Sequence, residues 1–200
     1  MVHEPDPFSV GDAAGIGRYH RQMLVAGIGE HGQANLGAAH VLVVGCGALG
    51  SPAADLLVRA GVGRVTLVDR DVVEITNLHR QTLFAQADVG DAKAESAARR
   101  LREVNSAVLV RGVAADVSHR NVERLIGGAV SATGDAGGEW PAADVVVDGT
   151  DNFETRYLLN DACVKRGVAL VYAGAVGTRL TQMTIVPGVT PCFRCLFPDA

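Results

Sequence analysis

The stretch Gly45-Cys46-Gly47-Ala48-Leu49-Gly50 has glycine at its first, third and sixth places, with an apolar run, His40 to Val44, just before it. Such spacing lets a tight turn bring backbone N–H groups and the start of a helix against a phosphate. Gly45 permits the turn, Gly47 the close approach of backbone to an anion, and Gly50 the packing of helix on strand. Asp69 ends the next apolar run, where a carboxylate can accept hydrogen bonds from both ribose hydroxyls. These features suit NAD and ATP alike.

The residues after Asp69 bear on the choice. The segment "DRDVVEITNLHRQTLFAQADVGDAKAE" puts Asn77, Arg80 and Gln81 in a loop beyond the carboxyl end of a strand. Sheets of alternating strands and helices bind ligands at that edge. A guanidinium can clamp phosphate oxygens in two directions and the amides can donate hydrogens, although a solvated polar loop has the same composition. Lys93 falls in the first turn of the following helix, where the helix dipole opposes a cation by about 0.3–1 kcal/mol. A bound phosphate would offset that, and so would solvent screening. Two aspartates fall near the same edge in "DGTDNFETR". Asp151 suits magnesium, which takes oxygen ligands from one or two carboxylates plus phosphates, and it equally suits a helix N-cap. Asp148 is expected to be structural. The cluster His-Arg-Gln occurs twice, at 20–22 and at 79–81.

The elements that must position these residues alternate in type. Strands are expected at 40–45, 64–69, 107–113, 143–150 and 168–174, and helices at 51–61, 90–105, 118–128 and 152–167. A more openly alternating stretch, 178–186, reads as a half-exposed antiparallel strand. The order implies an α/β, Rossmann-like doubly wound sheet, mostly parallel, with an antiparallel extension at its C-terminal end. Residues 1–17 read as a flexible lead-in. Residues 127–141, rich in glycine, read as a surface loop that Trp140 could anchor.

Composition excludes several classes. The chain has 200 residues, 48% of them hydrophobic and 20% charged, with a net charge of −4. That balance gives no bulk attraction to nucleic acid or to an anionic membrane. Leu36 to Ala54 contains no Asp, Glu, Lys or Arg, but four glycines, Pro52 and His40 interrupt it, so a membrane span is rejected. The N-terminus has neither the basic start nor the apolar core of a signal peptide. The four cysteines do not form a secreted disulfide pattern, which points to reduced thiols in a cytoplasmic protein. Cys192 and Cys195, spaced Cys-x-x-Cys, suit half of a tetrahedral zinc site or a redox pair. Cys46 and Cys163 sit in apolar segments and are expected to pack.

The ordered set "RYHRQ", "GCGALG", "AGVG", "LVDRD", "NLHRQTLF", "VGDAKAE", "DGTDNFETR" and "PCFRC" resembles the ThiF/MoeB/HesA family, relatives of the ubiquitin-activating enzymes. The resemblance runs from Arg18 to about Pro198 and makes 18–200 one adenylation domain, shortened at its C-terminal end. It implies ATP-dependent adenylation of the C-terminal glycine of a small ubiquitin-like sulfur carrier ending in Gly-Gly, with release of pyrophosphate, by a homodimer. Carried over by position, the nucleotide site comprises Gly45, Gly47, Ala48, Gly50, Asp69, Asp71, Asn77, Arg80, Gln81, Lys93, Asp151 and Asn152. The catalytic set is Arg21, Arg80, Lys93 and Asp151. Asp151 is the magnesium ligand, and Arg80 acts on its own subunit's ATP. Arg21 matches an arginine delivered across a dimer interface, so both His-Arg-Gln clusters would attend a triphosphate. The family completes its zinc site with a second Cys-x-x-Cys downstream. Ala48 departs from the glycine many relatives have there. A non-catalytic nucleotide-binding partner subunit and a peptide- or tRNA-modifying relative are the alternatives; Arg80 and Lys93 argue against an NAD-dependent dehydrogenase.

Overall fold

A computed structural model of the chain describes residues 16–129 and 140–198. The lead-in expected at 1–17 lies outside the described residues except for its last two, and the middle of the 127–141 loop lies outside them as well.

Six strands form one sheet in the order β3-β2-β1-β4-β5-β6. They are β1 (His40–Val44), β2 (Arg64–Asp69), β3 (Leu109–Ala114), β4 (Val145–Asp148), β5 (Ala169–Val176) and β6 (Arg179–Ile185). The first five pair in parallel and β6 runs antiparallel to β5, as the pattern of the sequence implied. The chain winds outward from β1 to β3 and then returns to lay β4 on the other side of β1. That reversal makes a crevice at the carboxyl ends of β1 and β4, the ligand position in folds of this kind.

β1 is buried along its whole length, as a central parallel strand must be. Its alternate residues divide between two cores. Val41 and Val43 meet Val58 of α3 (Gly50–Ala60) and Leu101 of α4 (Lys93–Val104) on one face. On the other, Leu42 and Val44 share a core with Ile126 of α5 (Val122–Ile126), Leu159 of α6 (Phe153–Arg166) and Phe193 of α7 (Phe193–Leu196). α3 and α6 end at Gly61 and Gly167, whose φ of 82° and 71° is the left-handed conformation that glycine adopts without strain.

The expected elements are present with altered ends. α3 begins at Gly50, α4 only at Lys93, and α5 is five residues long. β6 is exposed over most of its length rather than on one face. Two helices were not foreseen: α1 (Ile16–Met23) and α2 (Gly29–Ala38). They are largely polar and lie at the amino edge of the sheet. Tyr19 Oη accepts from Asn105 Nδ2 at 2.7 Å, and Gln22 Nε2 donates to Ala60 O at 3.0 Å. A cavity of about 470 Å³ lies there, its wall including Tyr19, Met23, Gln33 and Gly63. Trp140 anchors the far end of the loop as expected, its ring packing edge-on to His40 at 5.4 Å and under the Arg111 guanidinium at 4.2 Å. Among the described residues no helix is long and apolar enough to cross a membrane.

Candidate functional site

The loop after β1 and the loop after β4 interlock through glycines. A Cβ on Gly50 would lie 1.7 Å from Gly45 O, and one on Gly45 would lie 2.7 Å from Gly149 O. Gly149 in turn would meet Gly45 O and Gly50 Cα, both at 2.9 Å. No side chain fits at these three positions. Gly47 is different, because the nearest atom to its missing Cβ is Gln81 Nε2 at 3.9 Å. Packing within the protein does not require glycine there, and the open space beside it would admit a ligand close to the backbone. Ala48 beside it is exposed. Ser51 donates its hydroxyl to Cys46 O at 2.7 Å and ties the first turn of α3 back to the loop.

Asp69 stands at the end of β2 beside this loop. Its Oδ2 accepts the Cys46 N–H at 2.6 Å and its Oδ1 accepts the Asp71 N–H at 2.8 Å. Each oxygen keeps a lone pair for an outside donor, as a ribose would need. Burial pushes the Asp69 carboxyl up, against the pull of the two N–H bonds and of Lys93. The carboxylate therefore braces the glycine loop as well as facing the ligand edge.

Lys93 is the first residue of α4, and its buried ammonium donates to Asp71 Oδ2 at 3.0 Å. The Lys93 N–H also donates to Asp71 O at 2.9 Å, and Val72 bridges to Ala92. Asp71 thus meets part of the electrostatic cost that Lys93 incurs at a helix N-terminus, and its nearest role is as the lysine's ion-pair partner. Asn77 ends a 3₁₀ turn, Ile75–Asn77, where its Oδ1 accepts the Glu74 N–H at 3.1 Å. That bond turns its amide so that the NH₂ is left to donate. Arg80 is exposed, held only by Thr76 O at 2.9 Å and a 3.5 Å contact to His79. Gln81 is not a solvated loop residue: it is buried under the glycine loop and its Oε1 has no hydrogen-bond partner.

After β4, Asp151 is exposed and no described side chain pairs with it. Asn152 rather than Asp151 caps α6, accepting the Thr155 N–H at 2.9 Å. The capping role weighed for Asp151 falls to its neighbour, and the Asp151 carboxylate is left for another partner. Asp148 is structural as expected: it is 1% exposed, and Oδ1 accepts both the N–H and the hydroxyl of Thr150, at 2.9 and 2.7 Å. Burial pushes its carboxyl up, although Thr150 and Arg156 oppose the shift. Arg156, buried in α6, donates to Thr150 O at 2.7 Å. Thr150 and Arg156 were not anticipated, since a lone arginine in a polar helix reads as a solvated charge; only its place four residues after a capping Asn hints at contact with the preceding loop.

Arg21 does not join this group. It is exposed on α1, at the amino edge, no described residue pairs with it, and strands of five or six residues separate it from the crevice by roughly 16–20 Å. At the C-terminal end, Cys192 and Cys195 have their sulfurs 3.6 Å apart. Two thiolates on one tetrahedral zinc are separated by about 3.8 Å, so the pair has the spacing of two ligands. Among the described residues, no group of three or more His, Cys, Asp or Glu is set to hold a metal ion, so a closed zinc site is not formed by them. Cys46 and Cys163 are buried as expected; burial pushes the Cys163 thiol up to about 12.

Comparison with known proteins bears on this geometry. The sequence profile of the ThiF family matches residues 19–200. The chain is 46% identical over 182 residues to the sulfur carrier protein ThiS adenylyltransferase of Bacillus subtilis, covering 90% of this chain and 50% of that protein. It is 43% identical over 189 residues to the SAMP-activating enzyme E1 of Haloferax volcanii, covering 94% and 64%. A crystal structure of E. coli MccB with ATP superposes with a TM-score of 0.71 at 30% identity, covering 83% of this chain and 46% of that one. The chain spans between about half and two thirds of the length of these relatives.

Proposed function

The chain belongs to the ThiF family, matched over residues 19–200, and from that premise we propose that it adenylates the C-terminal glycine of a small ubiquitin-like sulfur carrier ending in Gly-Gly, consuming ATP and releasing pyrophosphate. The observation that supports the reading is that the glycine loop, Asp69, Asn77, Arg80, Gln81, Lys93 and Asp151 all fall beyond the carboxyl ends of β1, β2 and β4, several with donors or acceptors not used within the protein. Their chemistry fits a nucleoside triphosphate: open space over Gly47 for phosphate, carboxylate lone pairs for ribose, and two cations for the polyphosphate.

In this reading one carboxylate oxygen of the carrier attacks the α-phosphorus. A bond forms to phosphorus, the bond to the bridging oxygen breaks, and pyrophosphate leaves with the electron pair. Nucleophile and target are both anions, so the site must neutralise charge and hold the two in line. Lys93 and Arg80 supply fixed positive charge on the polyphosphate. Asn77 donates its amide hydrogens, and Asp69 orients the ribose while bracing the loop. The carrier's carboxylate is already ionised near neutral pH, so no general base is required. Magnesium held at Asp151 would add further positive charge to the phosphates. Cys192 and Cys195 would supply two of the four ligands of a structural zinc.

The reading includes a homodimer in the cytoplasm. Arg21 has no route to its own crevice, and Leu24 and Val25 beside it are 65% and 54% exposed. Both facts suit a helix that completes a neighbour's site. The test is ATP–pyrophosphate exchange with a carrier ending in Gly-Gly. Exchange that depends on the carrier and falls at least about 100-fold in Lys93→Ala, the effect of losing a charged transition-state contact, supports the proposal. Absence of both exchange and ATP binding refutes it.

A further inference from the structure

No described residue engages the Asp151 carboxylate, yet the backbone on both sides of it is tied down. On its C-terminal side Asn152 is fixed as the cap of α6 through Thr155 N at 2.9 Å. On its N-terminal side Thr150 is held three times: its N–H and hydroxyl by Asp148 Oδ1, at 2.9 and 2.7 Å, and its carbonyl by Arg156 Nη2 at 2.7 Å. Gly149 donates to Val44 O at 2.8 Å, which joins this loop to the strand that leads into the glycine loop.

The anchors are themselves buried. Asp148 is 1% exposed and Arg156 is 7% exposed, its guanidinium stacked over the Tyr172 ring at 5.1 Å and the Phe153 ring at 5.2 Å. Burying a carboxylate with only one oxygen paired and a guanidinium whose Nε lacks a partner is unfavourable for stability, and an apolar pair of similar volume would fill the space. Their retention beside an unengaged carboxylate points to a purpose in the loop they hold rather than in the core.

We propose that Asp148, Thr150 and Arg156 are positioning residues that hold the Asp151 carboxylate in the place where it takes the metal of a metal–ATP complex. The inference rests on the adenylation reading. It predicts an effect on metal affinity larger than any on nucleotide affinity, because the clamp packs against Gly45 but its hydrogen bonds reach neither the glycine loop nor Lys93.

The experiment uses the whole chain and three proteins: wild type, Thr150→Val and Thr150→Ser. Valine matches threonine in shape and removes the hydroxyl; serine keeps it. Circular dichroism melts establish that each is folded. Mn²⁺ binding in the presence of a non-hydrolysable ATP analogue is followed by electron paramagnetic resonance, and metal-free ATP binding by calorimetry. Thr150→Val is expected to weaken Mn²⁺ about fivefold, the loss of one buried hydrogen bond, with metal-free ATP affinity unchanged. Thr150→Ser is expected within about twofold of wild type. Unchanged Mn²⁺ affinity in Thr150→Val overturns the inference, as does an equal loss of metal-free ATP binding or a serine variant as impaired as the valine one. A wild-type chain that binds no ATP overturns the adenylation reading instead, and this inference with it.

Discussion

The two edges of one sheet are finished in opposite ways. At the amino edge His40 and Asn105 are paired inside the protein. His40 reaches Pro141 O at 2.8 Å and Thr66 Oγ1 at 2.9 Å, its backbone N–H reaches Asp144 at 2.7 Å, and Asn105 donates to both Tyr19 and Val58 O. At the carboxyl edge the Gln81 oxygen has no partner, Asp151 engages no described residue, and Arg80 holds a single carbonyl and a long contact to His79. Buried polar groups are nearly always paired in a finished structure. The buried Gln81 oxygen departs from that rule, and exposed Asp151 and Arg80 beside it keep capacity for an outside partner, which is what the proposed nucleotide would use. Arg21 is exposed at the amino edge, and no described residue pairs with it; under the proposed dimer it would serve a neighbour's site.

Two glycines three residues apart in the chain test that difference most severely. Gly50 is required by the protein's own packing, and Gly47 is not; under the proposed function the nucleotide requires it. Gly50→Ala puts a methyl 1.7 Å from Gly45 O, backbone against backbone, and neither can yield without moving a strand or a helix. It is expected to cost more than about 4 kcal/mol and leave little folded protein, read by thermal melts and solubility. Gly47→Ala has open space and a permitted φ, so its melting temperature should stay within a few degrees while ATP binding falls about tenfold or more. Equal tolerance of both changes would mean that the loop is not built around a ligand.

The comparison is sharpened by a mixing experiment. If Arg21 serves a neighbour's site, Arg21→Ala and Lys93→Ala are each inactive in pyrophosphate exchange but complement one another. Random pairing makes half the dimers mixed, and each mixed dimer has one site with both residues, so about a quarter of wild-type activity should return. No recovery in mixtures shown to exchange subunits would remove Arg21 from the mechanism.

Much of the carboxyl edge was legible in the sequence because it is local. The glycine spacing, the aspartate that closes β2, Lys93 at a helix start and the aspartates after β4 all follow from short motifs bound to strand ends. What the sequence did not disclose depends on contacts between distant segments. Asp71 as the partner of Lys93 needs residues 22 positions apart to meet. The burial of Gln81 likewise needs the loop after β2 to lie against Gly47 in the loop after β1. The clamp of Asp148 and Arg156 on Thr150 is the exception: it is local, spanning residues 148 to 156, and depends on turn geometry that residue types do not display. α1 and α2 escaped notice for a different reason. α2 buries no residue fully, so the apolar stripe that marks a helix is absent, and α1 is tied by polar contacts of Tyr19 and Gln22 with the C-terminal ends of α4 and α3.

The smallest expected effect separates the edges by pH. Burial pushes His40 down at the amino edge, which favours its neutral, fully hydrogen-bonded form, and pushes Asp148 up at the carboxyl edge, which disfavours the form that neutral pH imposes. For Asp148 the folded value lies above the ordinary 3.8, so the folded protein binds this proton more readily than the unfolded chain. Its contribution to stability is therefore whole below the unfolded value and is lost as pH rises through the folded one. Asp148→Asn keeps an oxygen for Thr150 and has no proton to lose. The stability of wild type relative to this variant should decline from about pH 4 upward and level off once the carboxyl is ionised, measured as urea midpoints across the range. A difference that stays flat, or that grows in favour of wild type with pH, would show the carboxylate to be well solvated or fully paired. The clamp on Thr150 would then be an ordinary turn, and the carboxyl edge would lose one of the features that set it apart from the amino edge.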